Sequence, residues 1–324
     1  MRITIHTNSA ACDIDTLGAE PKSLTDLFGR EYLWQGDPAY WGRTAPVLFP
    51  IIGNLKDNKT LFEGKEYTIP KHGFARDTEF KCIYHKDNKA VFCLYANEDT
   101  KKMFPFDFTF QVSYLLDDVD LKVEYTVFNN GDTPMPFCLG AHPAFRCPGE
   151  EEKFEEYQLC FPTPQTIHSP AFNTETGMWE IEHRLSIAEN QQKVNLDYEL
   201  FRGDTILCEN PDFHRIALVN ERTGRGVELR WEGFTDLAIW SPYGKNAPFV
   251  CLEPWCGAAK MDNEPDEEFV HKRGVQILQP MEQKKYSMTI LPLYAICQAM
   301  DLLKCAVGKY LIHKGVWIRN LVGA

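Results

Sequence analysis

Four short runs hold most of the residues whose types can do chemistry: 41–54 (WGRTAPVLFPIIGN), 71–76 (KHGFAR), 139–145 (LGAHPAF) and 251–255 (CLEPW). Each sets an ionisable residue among aromatics, prolines and glycines. Proline fixes the backbone, glycine permits close approach, and aromatic rings supply flat apolar walls, which together suit a small-molecule pocket. A histidine near its ordinary pKa of about 6.5 exchanges protons at neutral pH, and desolvation among Trp and Pro raises a carboxylate towards the same range. His72, His142 and Glu253 therefore point to acid–base chemistry. Aromatic faces stack on the apolar faces of sugars while Arg, Asp and His bind hydroxyls, so the expected ligand is a hexose. Taken singly each run is a weak signal, because a lone histidine beside proline is usually a hydrogen-bonded structural residue.

Other chemistries find less support. A metal site would need His72, His142 and Glu253, or Cys251 with Cys256, yet no H-E-x-x-H or paired cysteine spacing is present, so no metal is expected. No G-x-S-x-G elbow marks a serine nucleophile, and no cysteine has a catalytic context. Phe201-Arg202-Gly203-Asp204 and Gly224-Arg225-Gly226 contain glycine without matching a phosphate-loop or dinucleotide fingerprint. A glycosidase could recast Asp204 and Glu253 as its two carboxylates, but it would leave both histidines without a role.

The elements that must position these runs read as short strands. Ile3 and Ile5 alternate with polar neighbours; Val112, Tyr114 and Leu116 do so again, followed by Leu121, Val123, Tyr125 and Val127, with Asp117 and Asp118 as the hairpin connection. Tyr286, Met288 and Ile290 repeat the pattern near the end. Twenty prolines and 21 glycines cut the chain into short pieces, favouring a large antiparallel β-sandwich over long helices. With 324 residues and no Pro/Ser/Gly-rich linker, residues 1–294 read as one all-β domain. Residues 295–324 read as a basic tail, in which Ile296, Met300, Leu303 and Ala306 have the spacing of one face of a short helix.

Composition removes several function classes. A net charge of −12 without a basic block argues against nucleic acid, and no uncharged apolar run is long enough to span a membrane. Eleven cysteines, an odd number, and no apolar leader after Met1 suggest a reducing cytoplasm with free thiols.

Together and in this order, the four runs resemble the aldose 1-epimerase (galactose mutarotase) superfamily, most nearly its LacX-like branch. The signature is R-x-x-P-x-L-F-P-x-x-G, then H-G-F-A-R, G-x-H-P-A-F and C-L-E-P-W. Leu17-Gly18-Ala19-Glu20 and Tyr32-Leu33-Trp34-Gln35-Gly36-Asp37 fit the same branch, so the resemblance spans about residues 1–294. It implies a galactose mutarotase-like β-supersandwich with few short helices that binds a hexopyranose in an open cleft without cofactor or metal, as a monomer or homodimer. By resemblance His142 is the general acid at the ring oxygen, Glu253 the general base at the anomeric hydroxyl, and His72 the second histidine near the ring oxygen. Arg43 and Asp204 then bind the sugar, and Arg76 and Trp255 are walls of the site or supports for it; Arg76 reads equally well as an ion pair holding its own loop. Phe74 and Phe145 are further candidate sugar neighbours.

The implied activity is interconversion of the α and β anomers of a free hexose. Where galactose-active relatives carry N-R-I after their first glycine, this chain has Gly53-Asn54-Leu55, which leaves sugar preference open. Relatives with the R-x-x-P pattern include hexose-6-phosphate epimerases, and Arg43, Lys56, Lys71 and Arg76 could bind a phosphate. A non-catalytic sugar-binding protein on the same scaffold is the third alternative.

Overall fold

The computed structural model describes residues 1–149, 151–264 and 268–293. The suggested helical face in the tail lies outside them. Within them the expected all-β architecture is present: the one α-helix is the single turn Glu98–Lys101, capped by the Asn97 side chain, and the other helical pieces are short 3-10 turns. No helix among the described residues is long and apolar enough to cross a membrane.

Nine antiparallel strands form the largest sheet, in the spatial order Met178–Asn195, Tyr157–Asn173, Arg215–Asn220, Gly226–Glu232, Gln283–Leu293, Asp120–Asn129, Phe108–Asp117, Lys89–Tyr95 and Lys81–Lys86. The alternation legible in the sequence is what builds it. Along Phe108–Asp117, residues Phe108, Phe110, Val112, Tyr114 and Leu116 point inward and are buried, while their neighbours are half-exposed. Each such side chain contributes on the order of 1.5–3 kcal/mol on leaving water, and a one-residue slip would turn the whole row outward, so register is strongly specified. The hairpin to Asp120–Asn129 turns one residue later than the sequence suggests. Asp117 still pairs with Asp120, and the turn is Asp118-Val119, with Asp118 at φ 59°. A short acidic side chain tolerates that left-handed conformation, which accounts for the two-residue loop.

A second sheet carries the chemically interesting residues. Its order is Ile206–Cys208, Asp236–Trp240, Phe249–Cys256, Leu139–Ala141 and Val47–Leu48, with Ala144–Arg146 also pairing with Phe249–Cys256. Every residue of Phe249–Cys256 is buried, as expected of a central strand covered on both faces. A three-stranded sheet, Arg2–His6, Ala10–Asp15 and Glu20–Asp26, is tied to the large sheet by the Tyr114 hydroxyl donating to the Ala19 carbonyl at 2.6 Å. One continuous apolar core joins these layers, with the Phe49 ring stacked on Phe110 at 4.7 Å.

Candidate functional site

Pairing register brings His142 and Glu253 together. Gly140 pairs with Trp255 and Ala144 with Cys251, so the same antiparallel count sets His142 directly opposite Glu253. The ladder is interrupted there, and Pro143 and Pro254, which lack N–H groups, flank the interruption. Directly opposed side chains on one face are close neighbours, and His142 Nε2 lies 3.1 Å from Glu253 Oε2. On its other side Glu253 pairs with Ala238, whose small side chain leaves room.

Burial sets the protonation of this pair. His142 is pushed down to about 3, chiefly by burial, with Arg76, Lys71 and Arg43 working in the same direction. Burial and then the charge of Asp204 push Glu253 well above the usual carboxylate range. Both shifts therefore favour the uncharged form of each group. His142 Nδ1 is buried without a hydrogen-bond partner, and the 3.1 Å approach of His142 Nε2 to Glu253 Oε2 lacks the alignment of a hydrogen bond, so that oxygen too is unspent.

His72 approaches from a separate loop. Its backbone N–H donates to the Gly53 carbonyl at 2.9 Å, and the Gly53 N–H donates to His72 Nδ1 at 3.1 Å. That contact makes Nδ1 the acceptor and leaves Nε2–H as a donor. Burial holds the imidazole neutral, well below its ordinary pKa, and its ring centroid lies 5.9 Å from that of His142. Gly73 makes the docking possible: at φ 74°, a Cβ there would sit 2.1 Å from the Phe49 carbonyl oxygen. The loop therefore closes on the chain only with glycine at this position.

Arg43 and Arg76 flank the histidines and share one carboxylate. Arg43 Nη2 is 2.7 Å from Asp77 Oδ1, and Arg76 Nε is 3.6 Å from Asp77 Oδ2. Arg76 Nη2 also donates to the Lys71 carbonyl at 2.6 Å, so this side chain does hold its own loop. Partial burial and the nearby Arg43 lower it to about 10. The 17–20 segment positions this group from behind. Glu20 Oε1 accepts from the Thr44 and Ala45 N–H groups at 2.7 and 2.8 Å, and Gly18 packs so closely on the Arg76 backbone that a Cβ would fall 2.8 Å from its carbonyl oxygen.

Asp204 arrives from the far edge of the sheet. Its Oδ1 accepts from Trp240 Nε1 at 2.9 Å and its Oδ2 from the Thr205 hydroxyl at 3.1 Å. The arrangement can accept a proton at one buried group, deliver one at its neighbour, and hydrogen-bond a polyhydroxylated molecule around them. The family model described as Aldose 1-epimerase matches residues 1–291.

The chain belongs to the aldose 1-epimerase family. Over 300 residues it is 33% identical to Protein LacX (plasmid) of Lactococcus lactis subsp. lactis, covering 90% of this chain and all of that one. The similarity places it in the LacX-like branch. Among solved structures it resembles the galactose mutarotase related enzyme of Lactobacillus acidophilus, at TM-score 0.84 and 30% identity over 91% of this chain and 98% of the other. A galactose mutarotase-like protein of Lactobacillus casei ATCC 334 superposes at TM-score 0.82 and 30% identity over 90% and 100% of the two chains.

Within this family member, His72, His142, Glu253, Arg43, Arg76 and Asp204 form one connected neighbourhood. Trp255 is 4% exposed and fills the space beside Gly140, so it backs the Glu253 strand and offers no open face. Phe74 and Phe145 belong to the apolar core: Phe74 packs edge-on against Phe49, and Phe145 is fully buried. Lys56 is also displaced from the expected cationic group. It lines a different cavity, about 330 Å³, with Lys260 and Lys272.

Two aromatics in the site went unassigned in the sequence. Trp41 stacks on His142 at 4.8 Å and 23°, and Trp240 meets the same imidazole edge-on at 5.9 Å. Trp41 adjoins Arg43 in the first run, a usable signal; Trp240 carries none, being one apolar residue in an apolar strand.

Proposed function

We propose that this carbohydrate epimerase interconverts the α and β anomers of an unphosphorylated hexopyranose by ring opening and reclosure. The observation that carries the reading is the buried cross-strand pair, His142 Nε2 3.1 Å from Glu253 Oε2. The anomeric and ring oxygens of a pyranose are bonded to the same carbon, so the groups serving them must be neighbours, and one must be protonated while the other is not. The forward step draws on the state with the proton on His142 and Glu253 ionised, which the bound sugar has to favour over the uncharged pair that burial prefers.

In the forward step Glu253 takes the proton from the anomeric hydroxyl while His142 delivers its proton to the ring oxygen. The C1–ring-oxygen bond breaks and C1 becomes an aldehyde. After rotation about C1–C2, the new hydroxyl adds to the other face of the carbonyl; His142 recovers the proton from that oxygen and Glu253 returns one to O1. In this reading the His72 Nε2–H donates to the ring oxygen, and Arg43 and Asp204 hold hydroxyls. The route moves protons only and calls on no cofactor.

A second reading, a hexose 6-phosphate as substrate, draws support from Arg76, Lys71 and Arg43, which all act electrostatically on His142. The Arg43–Asp77 pair at 2.7 Å favours the neutral sugar, because an arginine already neutralised gains less from a phosphate. Polarimetry on freshly dissolved α-glucose and α-galactose tests the first reading, which fails if wild-type decay is no faster than buffer across several sugars. NMR exchange of glucose against glucose 6-phosphate separates the two.

A further inference from the structure

Cys251 stands two residues before Glu253 on the same strand, so both side chains emerge on the face occupied by His142. One donor atom from each of His142, Cys251 and Glu253 lies within 4.8 Å of the others, and all three residues are buried. The sequence argument against a metal rested on separation along the chain, and the sheet removes that separation.

We propose that His142, Cys251 and Glu253 bind a thiophilic divalent cation of the zinc class, which occupies the acid–base pair and inhibits the enzyme. Zinc takes N, S and O donors at about 2.0–2.3 Å in tetrahedral geometry, which sets donors about 3.5 Å apart. His142 and Glu253 already meet at 3.1 Å, so closure of the triad needs only a modest approach of the thiol. Two further observations support a ligand here. Glu253 Oε2 is buried and accepts no hydrogen bond, its 3.1 Å approach to His142 Nε2 lacking hydrogen-bond alignment, and Cys251 is a free thiol. Charge also favours the complex: a dication bound by one thiolate, one carboxylate and a neutral imidazole is neutral overall, which lessens the desolvation cost of a buried site. Hard cations such as magnesium, which prefer six oxygen donors, fit this set poorly.

Binding involves no oxidation. The Cys251 S–H bond breaks and its proton goes to solvent, the carboxyl proton leaves with it, and sulfur, oxygen and nitrogen lone pairs form the bonds to the ion. Three protein donors leave a fourth position for water. The ion then ties up the lone pairs that the proposed proton transfers use, so it acts as a reversible inhibitor.

The test is a titration of the purified full chain with Co²⁺, read as thiolate-to-metal absorption in the near ultraviolet. The wild type is expected to bind one ion at this site with a thiolate band, and Zn²⁺ should displace it. Cys251→Ala should remove the band and weaken binding tenfold or more, whereas Cys160→Ala should change neither. If Cys251→Ala does not fold, as judged by circular dichroism, His142→Asn in the same titration decides. Absence of a thiolate band in wild type, or an unchanged band and affinity in Cys251→Ala or His142→Asn, overturns the proposal. The absorption readout is independent of sugar turnover, so it stands or falls apart from the anomerase reading. Where turnover is measurable, Zn²⁺ should suppress it and a chelator restore it, and turnover unaffected by bound Zn²⁺ refutes the inhibitory role.

Discussion

Replacing Glu253 by Gln removes the proposed proton acceptor while keeping its shape. The side chain is 1% exposed and opposes His142 at 3.1 Å, so the amide occupies the same space with little repacking. A positioned general base contributes typically 10²–10⁴-fold, which at 1.36 kcal/mol per tenfold corresponds to about 3–5 kcal/mol of barrier. Stability should move the other way or not at all, because a group that resists ionisation in this environment is replaced by a neutral one. The assay is two-dimensional exchange NMR between the α and β anomeric signals of glucose, with thermal unfolding followed by circular dichroism. Exchange should fall at least a hundredfold at an unchanged or raised Tm. A variant that keeps more than a tenth of wild-type exchange at an unchanged Tm would falsify the role of Glu253 as base, and a collapse of Tm would refute the claim that the buried carboxyl costs stability.

Further outcomes follow from the same geometry. Trp240→Phe keeps the ring packing on His142 but loses the 2.9 Å donor to Asp204; a hydrogen bond to a charged group is worth about 1.5–3 kcal/mol, so KM should rise tenfold or more with kcat little changed in steady-state kinetics. Gly73→Ala places Cβ 2.1 Å from the Phe49 carbonyl oxygen, and should cost about 3 kcal/mol or more in urea unfolding. Its comparison, Gly64→Ala, has a similar φ of 75° with open space around it and should cost only about 1 kcal/mol; equal losses would remove the clash argument. His142 is depressed to about 3 from an ordinary 6.5 by burial, so it favours the folded state above pH 6.5, and that contribution declines as pH falls from 6.5 towards 3. Glu253 is raised, so its contribution is complete below its unfolded value of 4.5 and is lost as pH rises through its folded value. His142→Asn should therefore flatten the acid side of a stability–pH curve and Glu253→Gln should steepen it between pH 6.5 and 4.5; parallel curves for both variants would contradict the assignment.

Much of the site was legible because each run carries its own local constraint. Gly73 stands where the loop must touch Phe49, and Gly140 where Trp255 must fit. The misplacements share one cause. Aromatics read alike in sequence whether they line a pocket or the core, so nothing local separates Phe74 and Phe145, which the structure buries, from Trp41 and Trp240, which pack on His142. Lys56 follows Asn54 by two residues, yet the chain turns into a 3-10 segment at Lys56–Asn58 and carries its side chain to another cavity.

The sequence by itself determined the strand alternation and the all-β class and named His72, His142 and Glu253 as acid–base candidates, because side-chain period and residue chemistry are local properties. Tertiary structure alone decided that His142 faces Glu253 across one ladder position, that burial favours the uncharged form of both, and that Cys251 brings a third donor atom within 4.8 Å. Those facts depend on register and desolvation, which arise only when strands more than a hundred residues apart in the chain pair and exclude water.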